Sequence, residues 1–521
     1  MTMIFPVFLG IVVTLFFLLP VNCRPALLLL SSYAFCGWID MRGLAVLILI
    51  SIFTWRAGIR LERLQGKTRG EDEVSCGEDG GLRGEGEVSC GEDGGLRGEC
   101  GESGRGKTRR VRGFAIFAIG FLIIVLCVYK YGAWLLNLVF NGNPVSCGGW
   151  QAPQRLAASL AMPVGLSFYM FQAIGYLADI YRGKSGAEKN FIYLGCYLAF
   201  FPKLVSGPIL REQDFLPQLK RLTQVRFGDR GRLSTAFTYM LWGYFMKMVV
   251  ADRLAVTVNQ IFAAPETFDS FWLLLGAFFY TMQIYCDFAG YSYIAIGCGK
   301  IFGLDLAQNF KGPYCAVSIT DFWRRWHVSL SSWLRDYLYI PLGGNRKGIA
   351  RKCINTVIVF LVCGMWHGAG IHFAVWGLLH GIYSVIDALC RKAGWKIRGG
   401  RLLTFVEVAF AWIFFRAQSL REALSYVSGI FTAGIHPEKW RETAEAVQIG
   451  GVEALVIVSG IAVVLIIDEL CNARKLNMPV LVQKKENAVR YFIFYLLVIA
   501  IFIFGMYGPG YHAEQFIYMQ F

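Results

Sequence analysis

The sequence predicts an all-α polytopic membrane protein, and three observations predict it. Hydrophobic residues fill 55% of the 521 positions and mean hydropathy is +0.48, more apolar surface than a water-soluble core needs. Apolar runs recur from residues 1–19 to 492–506, and about 20 such residues cross a bilayer as a helix. Lys and Arg gather in short loops between the runs, the pattern that holds cytoplasmic loops in place.

The elements follow in order. Residues 1–19 lack a charged leading segment and a small-residue cleavage site, so they read as a retained helix. Further runs cover 44–59, 114–128, 156–180, 237–250, 271–296, 357–386, 405–415, 452–467 and 492–506. With hairpins and half-membrane pieces allowed for, they amount to about eleven transmembrane helices, with re-entrant or interfacial helices besides. The chain reads as one transmembrane domain over 1–521.

The net charge of +15 raises nucleic acid as a partner, and its distribution argues against it. Basic residues sit at Arg109, Arg110 and Arg112, at Lys220 and Arg221, in 226–232, 346–352 and 391–401, and at Lys484 and Lys485. Short loops of this kind face the cytoplasm and anionic lipid. They place Arg24 and the 60–112 loop inside, and the 37–42 turn outside. The localisation is a multi-pass protein of the plasma or inner cell membrane. Among the 15 cysteines, Cys127, Cys196, Cys286, Cys298 and Cys363 lie in apolar runs, where a thiol acts as a small hydrophobe. No structural disulfide is expected.

One stretch differs from everything else. Residues 71–84 repeat almost unchanged as 85–98, with Gly-Lys-Thr-Arg on both sides at 66–69 and 106–109. Two copies rich in glycine and acid cannot recover their ordering entropy, so 66–110 reads as a disordered cytoplasmic loop. Cys76, Cys90 and Cys100 are irregularly spaced and lack a histidine, a poor zinc set. The string Gly101-Glu102-Ser103-Gly104-Arg105-Gly106-Lys107-Thr108 matches a phosphate-binding loop letter for letter. Such a loop needs a buried strand before it and a soluble helix after it; neither is present, and nucleotide binding is excluded.

The chemistry points to two histidines. His367 lies in Cys363-Gly364-Met365-Trp366-His367-Gly368-Ala369-Gly370, and His327 in Asp321-Phe322-Trp323-Arg324-Arg325-Trp326-His327. Ionisable groups at membrane depth are costly and persist where they act. A neutral imidazole accepts a proton near pH 7, which suits it to activating a hydroxyl. Phe322, Trp326, Leu330, Trp333 and Tyr337 follow three- and four-residue steps that give one greasy helix face, ended by Pro341-Leu342-Gly343-Gly344. Arg324, Arg325, Arg335, Asp321 and Asp336 interleave with these aromatics, as at a headgroup interface or in a re-entrant pocket. His372, Trp376 and His380 share a second helix face, with the two histidines too far apart to chelate one ion unaided; no metal is expected. Asp287 sits in an apolar run and needs a partner, for which Arg324 is the candidate. Phe201-Pro202-Lys203-Leu204-Val205-Ser206-Gly207-Pro208 carries two helix-breaking prolines, tolerated at depth only where protein or a cavity shields the backbone. The pocket candidates are Trp323, Arg324, Asp287, Asp336 and Trp366.

At these residues the chain resembles the membrane-bound O-acyltransferase family, most closely its alginate O-acetyltransferase-like branch. The blocks are Pro163-Val164-Gly165-Leu166-Ser167-Phe168-Tyr169, Asp179-Ile180-Tyr181-Arg182-Gly183, residues 201–211, 283–292 and 321–346, and Met365-Trp366-His367-Gly368 through Trp376-Gly377-Leu378-Leu379-His380-Gly381. Tyr293 departs from the aspartate that commonly follows Gly-Tyr-Ser in this branch, and the Gly/Glu repeat is foreign to it. The resemblance implies a catalytic core at 163–381 with a central catalytic funnel or tunnel, His367 matching the catalytic histidine and His327 the second active-site histidine. It implies acyl transfer, acetyl foremost, from a cytoplasmic thioester (acetyl-CoA or an acyl-carrier protein) to hydroxyls of an exported or cell-surface polysaccharide. No bound cofactor is implied. An extracytoplasmic esterase-like (SGNH) acyltransferase partner is implied beside the lipid bilayer and the glycan. The alternatives within the class are D-alanyl transfer to teichoic acid and peptidoglycan O-acetylation; the alternative outside it is a proton-coupled transporter.

Overall fold

The computed structural model describes residues 4–74, 102–140, 160–395 and 400–507. Among these residues every regular element is a helix. Seven of the helices are long and apolar enough to cross a membrane: Met41–Gly66, Thr108–Leu136, Ser270–Ile301, Gly348–His367, Ile371–Lys392, Gly451–Arg474 and Asn487–Phe504. Hydropathy alone predicts about eleven, counting shorter runs as well, and several of these have local causes for their shorter length. The run at 156–180 contains the helix Leu166–Tyr181, only 16 residues long and enclosed by protein along its whole length up to Ile180. The run at 237–250 divides between the helix Arg230–Tyr244 and a π-helical turn, Phe245–Ala251. The leading helix, Ile4–Leu18, is 15 residues long.

The helices sort into a centre and a rim. Ser270–Ile301 is 78% buried over its apolar window, whereas Asn487–Phe504 is 6% buried, so the first is the axis of the bundle and the second presents its apolar side chains to lipid. The axis helix starts where the Asp269 side chain accepts the Trp272 N–H at 3.1 Å, which satisfies one of the donors that a helix leaves open at its start.

Helix enters both ends of the stretch read as a loop at 66–110, as Met41–Val74 and Glu102–Phe140. Most of the repeat, with Cys76 and Cys90, and the following Cys100 fall in 75–101, outside the described residues. From Glu102 onward the phosphate-loop string is helical backbone, not a turn that cradles an anion.

Two breaks shape the interior. Phe191–Ala199 gives way to the single turn Phe201–Leu204, and the chain then runs unwound and buried to Leu210. Its backbone groups are met by protein, as bilayer depth requires. The Ile209 N–H donates to Ser329 Oγ at 3.0 Å and the Tyr197 hydroxyl to the Leu210 carbonyl at 3.0 Å. Gly165 packs against this segment with φ +73°, and a Cβ there would lie 2.1 Å from the Leu204 carbonyl oxygen; only glycine fits. The second break corrects the single amphipathic helix read through 322–337. The helix Ile319–Arg325 stops, His327 takes a left-handed conformation (φ 42°, ψ 54°), and Val328–Leu334 starts anew. Asn309 makes this restart possible. Its carbonyl accepts the Val328 N–H at 3.1 Å and its side-chain oxygen the Ser329 N–H at 3.2 Å, two donors that an unbroken helix would have used internally.

Candidate active site

His367 is the last residue of the helix Gly348–His367, which packs against Ile371–Lys392. The approach is as close as backbones allow. A Cβ on Gly364 would lie 2.2 Å from the Phe373 carbonyl oxygen, and one on Gly377 would lie 2.3 Å from that of Phe360. A third helix, Glu102–Phe140, fixes the end that carries the histidine. Lys130 Nζ donates to the His367 carbonyl at 3.1 Å, and the Tyr131 hydroxyl donates to the Met365 carbonyl at 2.6 Å. A cation at a helix C-terminus meets the negative end of the macrodipole, and the same ammonium lies 5.9 Å from the Trp366 ring centre.

His327 reaches the same place from the opposite wall. Its left-handed backbone costs a non-glycine residue on the order of 1 kcal/mol, a cost that folds retain mostly at functional sites. The two imidazoles share one indole: Trp366 lies 4.8 Å from His367 and 6.4 Å from His327, between ring centres. Phe288 packs edge-on to His327 at 4.7 Å, with Phe168 at 6.3 Å. Trp376 and Phe415 each stand 5.1 Å from His367. His327 is 0% exposed and His367 3%, so both rings sit in an aromatic box closed to bulk water, where fixed dipoles act at full strength.

Of the other pocket candidates, Trp366 is the shared wall and Trp323 lies one layer behind. The Trp323 indole N–H donates to His380 Nδ1 at 3.3 Å, and its ring packs 5.9 Å from Trp376. Asp336 lies elsewhere, paired with Arg211 at 2.7 Å and Arg335 at 2.8 Å. An aromatic row links it to the histidines. Trp366 stacks on Phe171 at 5.1 Å, Phe171 on Trp333 at 3.9 Å, and Trp333 meets Tyr337 at 5.0 Å; the Arg211 guanidinium caps the row 4.6 Å from Tyr337.

Arg324 is not brought in. Its side chain is exposed, because it lies on the outer side of the short helix that buries Phe322 and Trp323. The expected Asp287–Arg324 pairing is therefore corrected: Asp287 binds Lys247 Nζ at 2.6 Å, and the same ammonium meets Asp252 at 2.7 Å. The π-helical turn carries Lys247 inward. The sequence held the signal, since a lysine in the apolar run 237–250 is the natural counter-charge for a buried carboxylate. Lys130 carries no such signal, because it stands just beyond the apolar run ending at 128. Phe415 lies past the core drawn at 163–381. Among the described residues no group of three or more His, Cys, Asp or Glu is placed to hold a metal ion.

The model of the membrane-bound O-acyltransferase family matches residues 188–427. A probable alginate O-acetylase of Pseudomonas putida is 33% identical over 437 residues, 82% of this chain and 78% of that protein. The chain belongs to the membrane-bound O-acyltransferase family. It is a multi-pass membrane enzyme that transfers acyl groups, and the transporter alternative falls away. A peptidoglycan O-acetyltransferase of Helicobacter pylori is 34% identical over 301 residues, 52% of this chain and 57% of that protein. A teichoic acid D-alanyltransferase of Bacillus subtilis is 27% identical over 285 residues, 50% of this chain and 69% of that protein. The family match runs beyond 381 and takes in the helix Gly400–Arg416, which supplies Phe415 to this acyltransferase's histidine box.

Proposed function

We propose that this acyltransferase moves an acetyl group from a cytoplasmic thioester to hydroxyls of an exported, alginate-like polysaccharide at the plasma or inner membrane, with His367 as general base. One observation carries the reading: two buried histidines from separate walls meet on a single indole. His367 takes the proton of the acceptor hydroxyl as its oxygen attacks the thioester carbonyl, and returns a proton to the departing thiolate. His327 orients the acceptor. General-base assistance of this kind is worth roughly 10²–10⁴ in rate. The match to alginate O-acetylases over most of the chain supports acetyl and a glycan over D-alanyl and teichoic acid, for which identity and coverage are lower. The basic loops support a cytoplasmic donor side. An extracytoplasmic esterase-like protein that relays the acetyl group to the polymer completes the proposal, as does a catalytic core centred on 163–381.

The test is reconstitution in proteoliposomes with labelled acetyl-CoA on the side of the basic loops. Polyuronate, cello-oligosaccharide, peptidoglycan fragments and an esterase-like partner are supplied opposite. Label on polyuronate or on the partner is the expected result. Label on peptidoglycan alone, or transfer of D-alanine but not acetyl, would overturn it.

A further inference from the structure

Three buried N–H groups, at Trp366 Nε1, Trp376 Nε1 and His380 Nε2, find no acceptor among the described residues; the Trp366 and Trp376 rings lie 4.8 and 5.1 Å from His367, and His380 lies beyond them, 5.0 Å from Trp376. Trp376 and His380 are 0% exposed and Trp366 is 6%. An indole N–H only donates. His380 is held to the same role at its outer nitrogen, because Nδ1 accepts from Trp323 at 3.3 Å and a neutral ring then carries its proton on Nε2. A buried donor without an acceptor costs roughly 1–3 kcal/mol, so two such donors four residues apart on one helix, the first against His367, offer a place for an oxygen. Trp376 stands edge-on to His367 at 5.1 Å and 87°, and His380 stands one helical turn further along, 5.0 Å from Trp376.

We propose that Trp376 and His380 form the oxyanion site of the transfer, donating to the carbonyl oxygen of the acyl thioester. The inference rests on His367 acting as base. As the acceptor C–O bond forms and His367 takes the hydroxyl proton, the carbonyl π pair moves onto that oxygen. It is the atom of the reaction that gains negative charge, and donors fixed in a water-poor box stabilise it without reorganising. When the oxyanion collapses, the C–S bond breaks and the thiolate takes the proton from His367. Trp323 positions His380 by fixing its tautomer.

The test uses the full chain in detergent or nanodiscs, with S-acetonyl-CoA labelled ¹³C at its ketone as a non-transferable probe. Trp376→Phe keeps the ring and removes the N–H. It should lower kcat by about 10²–10³, with KM changed only a few-fold, and move the carbonyl stretch of the bound probe to higher frequency. His380→Phe should do the same, and His380→Gln, which restores a donor near Nε2, should recover part of both. A wild-type kcat in Trp376→Phe, or a loss of kcat with the carbonyl band unmoved, overturns the proposal; should Trp376→Phe misfold, the His380 pair decides by the same two readouts. His367→Ala separates the two readings: it should abolish turnover and leave the band where it is in the wild type, whereas full turnover there would remove the base and not the oxyanion site.

Discussion

Placing His367 depends on two helices that touch through bare backbone, and a single methyl group tests that dependence. Gly364→Ala puts a Cβ 2.2 Å from the Phe373 carbonyl oxygen, where ordinary contact begins near 3.4 Å. The oxygen belongs to backbone and cannot swing aside, so the helices must part by roughly 1 Å, and a misplacement of that size costs on the order of 10² in rate. His367 lies one turn from the wedge and is held from the other side by Lys130 and Tyr131, so the displacement reaches the imidazole directly. Gly381→Ala is the control on the same helix pair, since its nearest neighbour would stand 3.3 Å away. Initial rates of labelled acetyl transfer by purified enzyme, normalised to monodisperse protein, should fall about 10²-fold for Gly364→Ala and stay within a few-fold for Gly381→Ala. Equal activity of the two variants would refute the claim that this backbone contact sets the base.

Three further outcomes follow from the same geometry. His327→Asn, a residue that tolerates the left-handed backbone, should keep thermal stability close to wild type and lose about 10²-fold in turnover; unchanged turnover would limit His327 to packing. Asp287→Asn should destabilise by about 2–3 kcal/mol, below the roughly 3–5 of a buried pair broken outright, because Lys247 retains Asp252 at 2.7 Å; unfolding midpoints equal to wild type would contradict the pairing. Burial pushes the Glu212 carboxyl up from its ordinary 4.5 to about 7. Between those values the unfolded chain is ionised while the folded one holds its proton, so stability falls as pH rises from 4.5 to about 7. Glu212→Gln should flatten that slope in melting curves; an identical slope would count against it.

The sequence told its class plainly, because hydropathy and loop charge are sums over many residues that no single contact can overturn. His367 and Trp366 stand out in the sequence as a glycine-flanked block within the apolar run 357–386, and His327 as a histidine among the interleaved aromatics and charges of 321–337. The kink at His327 was not, since it is set by Asn309, far along the chain. The partner of Asp287 is hidden for a related reason: a π-helical turn shifts the register by which Lys247 would be placed on a regular helix. Arg324 follows the same lesson. Its neighbours face inward, and on a helix of seven residues that leaves it outside. Lys130 and Phe415 come from helices whose place beside His367 only the tertiary fold decides.

The most direct measurement is the transfer rate of His367→Ala in the reconstituted system, taken beside its melting curve. The account predicts a loss of at least about 10²-fold with folding retained. A well-folded variant that acetylates at the wild-type rate would contradict it.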